Sequence, residues 1–180
     1  MKLKTRDMTF IALFAVVIAV CSWISIPSTV PFTMQTFGVF VAVGLLGGKR
    51  GTLAVLVYLL LGLMGAPVFA GFKGGAAAVL GTTGGYILGF LLSALVMWGL
   101  EKLPSPPPLA VSMTAGLLVC YFFGTAWFMT VYARQTGPIG VMTALGWCVF
   151  PYLIPDALKI ALALFLCRRL SPVLKQKGFA

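Results

Sequence analysis

No histidine occurs in this chain of 180 residues, and only three residues are acidic: Asp7, Glu101 and Asp156. The missing imidazole excludes Ser/His/Asp and Cys/His catalysis, most zinc sites and any histidine proton relay. A Gly-x-x-x-x-Gly-Lys-Ser/Thr loop is also missing, which excludes ATP hydrolysis by the usual phosphate-binding machinery. Cys21, Cys120, Cys148 and Cys167 fall singly in apolar segments, without the close spacing of metal sites or the framework of disulfide-rich secreted domains, and read as small core residues. No enzyme, metal or cofactor is expected, because a nucleophile here would have no histidine base to activate it. Charged residues are scarce at 9%, and the basic ones behind the net charge of +10 sit at segment ends, not along one polar stripe. That placement speaks for membrane topology and against a nucleic-acid partner.

Apolar residues are what the chain has in abundance. At 61% hydrophobic, with a mean hydropathy of +1.07, it has too little polar surface to cover a soluble globule. A membrane helix needs roughly 20 mostly apolar residues, so the length accommodates about six. Apolar segments run from 8 to 26, 36 to 48, 52 to 66, 84 to 100, 109 to 132 and 142 to 167. The second and third are short, which predicts either tilt or a position inside the protein. Residues 1–23 have a basic start and an apolar middle but no small-residue cleavage site, and read as a retained first helix.

These segments predict an all-α integral membrane protein: a bundle of six transmembrane helices forming one membrane domain over residues 1–180. Lys2, Lys4, Arg6, Lys49, Arg50, Lys102, Arg168, Arg169, Lys175 and Lys177 fall on one side of a six-span topology, and only Lys73 and Arg134 fall opposite. The positive-inside rule makes the basic side cytoplasmic, with both termini there, in a multi-pass protein of the cell membrane. Three loops then face outward, 27–36, 66–85 and 133–138. The middle one is rich in Gly, Ala, Thr and Phe and is expected to fold over the bundle, because apolar irregular backbone is tolerated where it is buried or lines a cavity. The proline-rich stretch 104–108 reads as a stiff spacer.

Asp156 and Lys159 lie inside the last apolar segment, three residues apart and on one helical face, with Tyr152 extending that face by a turn. A lone charge in hydrocarbon costs about 2.5 to 3.5 kcal/mol on the mildest scale, so the pair should point inward to polar partners. It could fix helix packing, but beside Gly- and Thr-rich loops a polar ligand is the better reading. Ala15 and Ala19, preceded by Ala12, form a small-xxx-small face for close helix approach, either to a partner or within the chain. Trp23, Trp98, Trp127 and Trp147 fit interfacial belts, although Trp147 and Phe150 could also wall a ligand pocket.

Three stretches, "PFTMQTFGVFVAVGLLGGKRGTLAVLVYLLLGLMGAPVFAGFKGG", "GTTGGYILGF" and "PDALKIALA", occur in order across nearly the whole chain. Together they closely resemble the BioY family, the biotin-specific substrate-capture (S) components of energy-coupling-factor (ECF) transporters. Thr82 departs from the family pattern Gly-Pro-Thr-Gly-Gly-Tyr, a change that could loosen the turn without removing the site.

The resemblance implies that this domain is compact and substrate-binding, and that it captures biotin from outside in a loop-capped pocket. It also implies assembly with a transmembrane coupling protein and two ATPase subunits, which alone would use ATP, and contact of the coupling protein with small residues of the first helix, here Ala15 and Ala19. The chemistry of biotin then assigns roles. Asp156 can accept the ureido N–H groups, and Lys159 can neutralise Asp156 and donate to the ureido carbonyl or to the carboxylate. Tyr86, Thr83 and the backbone of Gly84 and Gly85 supply further donors, while Thr33 and Gln35 are gate or pocket groups. The competing readings are an S component for riboflavin or thiamin, and a stand-alone proton-coupled carrier using Asp156.

Overall fold

Asp7 sets the start of the first helix and ties it to a distant part of the chain. Its carboxylate accepts the Lys4 backbone N–H at 3.0 Å and pairs with Arg50 at 3.1 Å. The computed structural model describes residues 4–28 and 30–176, with backbone alone over 174–176. Lys2 and Lys177, the side chain of Lys175, and Thr29 in the loop 27–36 lie outside the described residues.

Helix α1 (Thr5–Trp23) leads into a small antiparallel ladder of β1 (Ser25–Ile26) and β2 (Phe32–Thr33), with Ser25 opposite Thr33. Helices α2 (Gln35–Leu46) and α3 (Gly48–Leu63) follow, joined by Gly47 alone, whose φ of +77° is a conformation glycine adopts without a Cβ clash. Then come the short α4 (Ala76–Leu80), α5 (Gly84–Glu101), α6 (Leu109–Gln135), α7 (Val141–Cys148) and α8 (Leu153–Gln176). The described residues are thus all-α apart from this ladder and an isolated bridge between Phe69 and Lys73. Among the described residues four stretches are long and apolar enough to cross a membrane: α1, α5, α6, and Val141–Val173 across α7 and α8.

The shortness of α2 has a structural reason. Nine of its twelve residues are buried, because it packs against α1, α3, α5 and α8, in the middle of the bundle. The most extensive helix pair is α5 with α6, and its seam is built from small residues. An added Cβ would stand 2.5 Å from Trp127 Cγ at Gly85, 3.0 Å from Cys120 Sγ at Gly89, and 2.5 Å from Ser93 Oγ at Gly116. Without a hydrophobic drive between helices in lipid, such close backbone approach supplies the dispersion that holds them.

Three contacts gather the basic segment ends at one end of the bundle. Asp7 pairs with Arg50, the Glu101 carboxylate at the end of α5 accepts the Gly48 N–H, and Cys167, just before Arg168 and Arg169, lies beside Gly44.

Two expectations are corrected here. The segment 142–167 is not one helix: it breaks at a 3₁₀ turn, Phe150–Tyr152, that contains Pro151, so Tyr152 precedes α8, although it still lines one chamber with Asp156 and Lys159. Ala15 and Ala19 do not form an open docking face either. They are 1% and 5% exposed, sealed into the core on the face α1 turns to α2 and α3, and offer no surface to a partner in this structure. Their small side chains allow the internal approach, and the exposed residues of α1 include Ala12, Leu13, Val16 and Val20. Ala15→Leu is therefore expected to cost about 1 to 3 kcal/mol by overpacking, read as a lower unfolding temperature of the isolated chain in detergent. An unchanged unfolding temperature would return the pair to the surface.

Candidate functional site

Asp156 stands in the first turn of α8, where the positive end of the helix dipole favours a carboxylate. The i, i+3 spacing brings Lys159 Nζ to 2.7 Å from its Oδ1, and Tyr121 of α6 donates its hydroxyl proton to Oδ2. Asp156 and Lys159 are 4% and 5% exposed, so the pair is buried and partnered, as intramembrane charge requires. The ammonium also lies 4.1 Å from the centroid of the Phe32 ring, which adds a cation–π contact from β2. Two charges of opposite sign thus sum to zero around one carboxylate.

The loop between β1 and β2 is fastened to the same region. Tyr152 and Ser28 both donate to the Val30 carbonyl, and Phe32 stacks on Tyr152 with ring centroids 6.3 Å apart. Tyr152 reaches the cluster from the 3₁₀ turn instead of from the helix.

The segment between α3 and α5 packs back on the bundle. Trp23 Nε1 donates to the Pro67 carbonyl at 2.8 Å and Trp127 Nε1 to that of Gly81 at 3.0 Å, a use of tryptophan beyond an interfacial belt. Phe69 is 2% exposed and sits edge-on to Tyr58, and Phe69 N–H bonds the Lys73 carbonyl at 2.9 Å to close a small turn.

Between this segment and the bundle lies a cavity of about 420 Å³, within the range of small-molecule sites. A narrow chamber of about 50 Å³ adjoins it and is lined by Asp156, Lys159, Tyr121 and Tyr152. The two share Val30, Pro31, Thr33, Tyr86 and Phe90 as common walls.

The sequence-derived residues distribute over this space unevenly. Thr33, Gln35, Thr83 and Tyr86 line the larger chamber. Gln35 donates to Tyr58 Oη at 2.6 Å, and the Tyr86 hydroxyl lies 2.8 Å from Thr125 Oγ1. Gly84 and Gly85 line neither chamber. The Gly84 N–H is already bonded to the Gly81 carbonyl at 3.0 Å, and a Cβ at Gly85 would meet Trp127, so both positions serve the close packing at the start of α5. Trp147 and Phe150 are exposed and line neither chamber, which agrees with a belt position. The sequence reading missed Tyr121, Tyr58, Phe32 and Lys73. Tyr121 carried one available signal, a hydroxyl midway along an apolar helix that needs a partner.

The arrangement offers donors, acceptors and a partly open cavity of mixed polar and apolar lining, with no nucleophile–base pair among its described residues, and fits reversible binding of a small polar-ended molecule. Comparison with known proteins agrees. The family model described as "BioY family" matches residues 1–176. A biotin transporter BioY of Thermotoga maritima is 41% identical over 168 residues, covering 92% of this chain and 96% of the relative. A probable biotin transporter BioY of Pyrococcus horikoshii is 38% identical, covering 94% and 98%. A crystal structure of the S-component for biotin from an ECF-type ABC transporter superposes with a TM-score of 0.79 at 28% identity, covering 94% of each chain.

Proposed function

This chain belongs to the BioY family, and on that premise we propose that it captures biotin and takes it up as the substrate-specific S component of an ECF-type transporter. It is a multi-pass membrane protein and a transporter component, not an enzyme. The observation that carries the reading is the buried Asp156–Lys159–Tyr121 cluster in a small chamber adjoining a cavity bordered by the 64–83 segment and the β1–β2 loop.

Biotin has a ureido ring with two N–H donors and one carbonyl, a thioether ring, and a carboxylated chain. Each oxygen of Asp156 keeps acceptor capacity beyond its bond to Lys159 or Tyr121 and can take a ureido N–H. Lys159 has three donors, of which Asp156 uses one. Thr33, Gln35, Thr83 and Tyr86 supply further polar lining, Tyr152 holds the loop in place, and Phe69 and Phe90 supply apolar walls.

In the membrane, α2 and α3 are counted as short or interior spans, giving six. The end bearing Arg50, Glu101 and Arg168 is cytoplasmic, in the cell membrane, with both termini there. The cavity then opens to the outside, beneath the glycine-rich loop. With no phosphate-binding loop of its own, the chain depends for energy on a transmembrane coupling protein and two ATPase subunits.

Equilibrium titration of the detergent-purified chain with biotin, using riboflavin and thiamin as competitors, tests the reading. Tight binding that the other vitamins do not displace is expected. A folded sample that binds no biotin, or that prefers another vitamin, would end it.

A further inference from the structure

The turn from Phe69 to Lys73, in the segment that borders the large cavity, carries two phenylalanines that point opposite ways. Phe69 is buried and lines the cavity, whereas Phe72 is 64% exposed. Inside the turn Gly71 and Phe72 have φ of +69° and +57°, and Phe72 is the one residue other than glycine with a positive φ among the described residues. A side chain with a Cβ adopts that backbone only at a cost, so something must hold it there. The Phe72 ring stacks on Trp23 with centroids 5.2 Å apart, and Trp23 Nε1 and the Ser22 hydroxyl donate to the carbonyls of Pro67 and Val68. The segment is therefore fastened to the end of α1.

Trp23 is the last residue of a stripe. Leu13, Val16, Val20 and Trp23 are all exposed and recur at i, i+3, i+7 and i+10, one face of a helix long and apolar enough to cross a membrane. Helix α3, packed on α1, carries a second exposed stripe of Leu56, Leu60 and Leu63 that ends at Met64, where the segment begins. Both apolar walls thus run into the same place, and Phe72 extends the first of them beyond its tryptophan. In water the outward ring would leave its apolar surface hydrated, but where headgroups meet acyl chains it is buried, next to the residue type that prefers that depth. We propose that Phe72 inserts beside Trp23 into the headgroup–acyl boundary of the adjoining leaflet, so that the segment over the cavity is anchored to the bilayer as well as to α1. Lifting that segment then withdraws Phe72 from lipid, whatever ligand the cavity takes.

The test places a nitroxide on Phe72→Cys in the full chain, reconstituted in phosphatidylcholine vesicles. Its collisions with oxygen, which concentrates in lipid, are compared with those with a nickel chelate, which stays in water. Phe122→Cys on the exposed wall of α6 and Ser105→Cys in the proline-rich connection give the lipid and water references. The four native cysteines are buried, and the wild-type chain treated in the same way reports any label on them. The oxygen-to-nickel ratio at position 72 is expected to exceed that at position 105 by more than about threefold, as for a side chain about 5 to 10 Å into the boundary. A smaller ratio leaves the ring in water and overturns the proposal. Phe72→Trp gives a second reading without a label: its added emission should fall by about half in vesicles of phosphatidylcholine brominated near the headgroup end of its chains, and aqueous iodide should leave it unchanged. Added emission that iodide quenches and the brominated lipid does not overturns the proposal equally.

Discussion

Replacing Asp156 by Asn is expected to weaken biotin binding by about a hundredfold while the protein still inserts into the membrane. Two losses combine in the direction of weaker binding. An amide keeps one acceptor oxygen in place of two anionic ones, and hydrogen bonds to charged groups are worth about 1.5 to 3 kcal/mol, with 1.4 kcal/mol equal to a factor of ten. Lys159 would also lose the partner 2.7 Å away and remain 5% exposed, a buried charge without its counterion. Removing one member of a buried pair costs about 3 to 5 kcal/mol of stability, so the single variant should also melt earlier. The double variant Asp156→Asn with Lys159→Met separates the effects. It relieves the orphaned ammonium and should recover most of the melting temperature without recovering affinity. Biotin affinity equal to wild type in either purified variant would remove Asp156 from the ligand and leave the pair as a packing device.

Gly124→Ala is the second large effect, and its sign depends on a competition. In an exposed helix the change is favourable by up to about 1 kcal/mol, because alanine loses less backbone entropy than glycine. Here the new methyl would stand 2.6 Å from Tyr86 Cγ and closer still to the ring edge. Tyr86 is 9% exposed, is bonded to Thr125 and forms a wall common to both chambers, so the ring has to move. Overpacking of this kind costs about 1 to 3 kcal/mol and outweighs the propensity gain. A lower unfolding temperature and about tenfold weaker biotin binding are expected, measured by thermal unfolding and by titration of the same preparation. A more stable variant with wild-type affinity would mean that the α5–α6 seam yields and that Tyr86 does not shape the site.

Much of this was legible in the sequence because the underlying costs are local. A run of apolar residues is stable across hydrocarbon whatever its neighbours, so membrane class and most helix positions followed from hydropathy alone. The i, i+3 spacing put Asp156 and Lys159 on one face because helical geometry is the same everywhere, and the structure joins them at 2.7 Å. The scarcity of acids made that pair conspicuous, and the clustering of basic residues at segment ends corresponds to the end where Asp7 meets Arg50 and Glu101 meets Gly48.

Other features depended on which helix lies beside which. The same small-xxx-small spacing serves a partner or the chain's own core, and only packing against α2 and α3 sends Ala15 and Ala19 inward. Gly84 looked like an open donor, but the Gly81 carbonyl takes its N–H, and the Trp127 side chain packs where Gly85 has no Cβ. Tyr121 reaches Asp156 across 35 residues and Gln35 reaches Tyr58 across 23, partnerships that no local spacing encodes. By itself the sequence determined that this is a membrane protein carrying a charge pair in an apolar helix, since hydrophobic transfer and charge burial act residue by residue. The tertiary structure alone decided which hydroxyl and which ring complete that pair, because hydrogen bonds and cavities exist only between surfaces that packing has brought together.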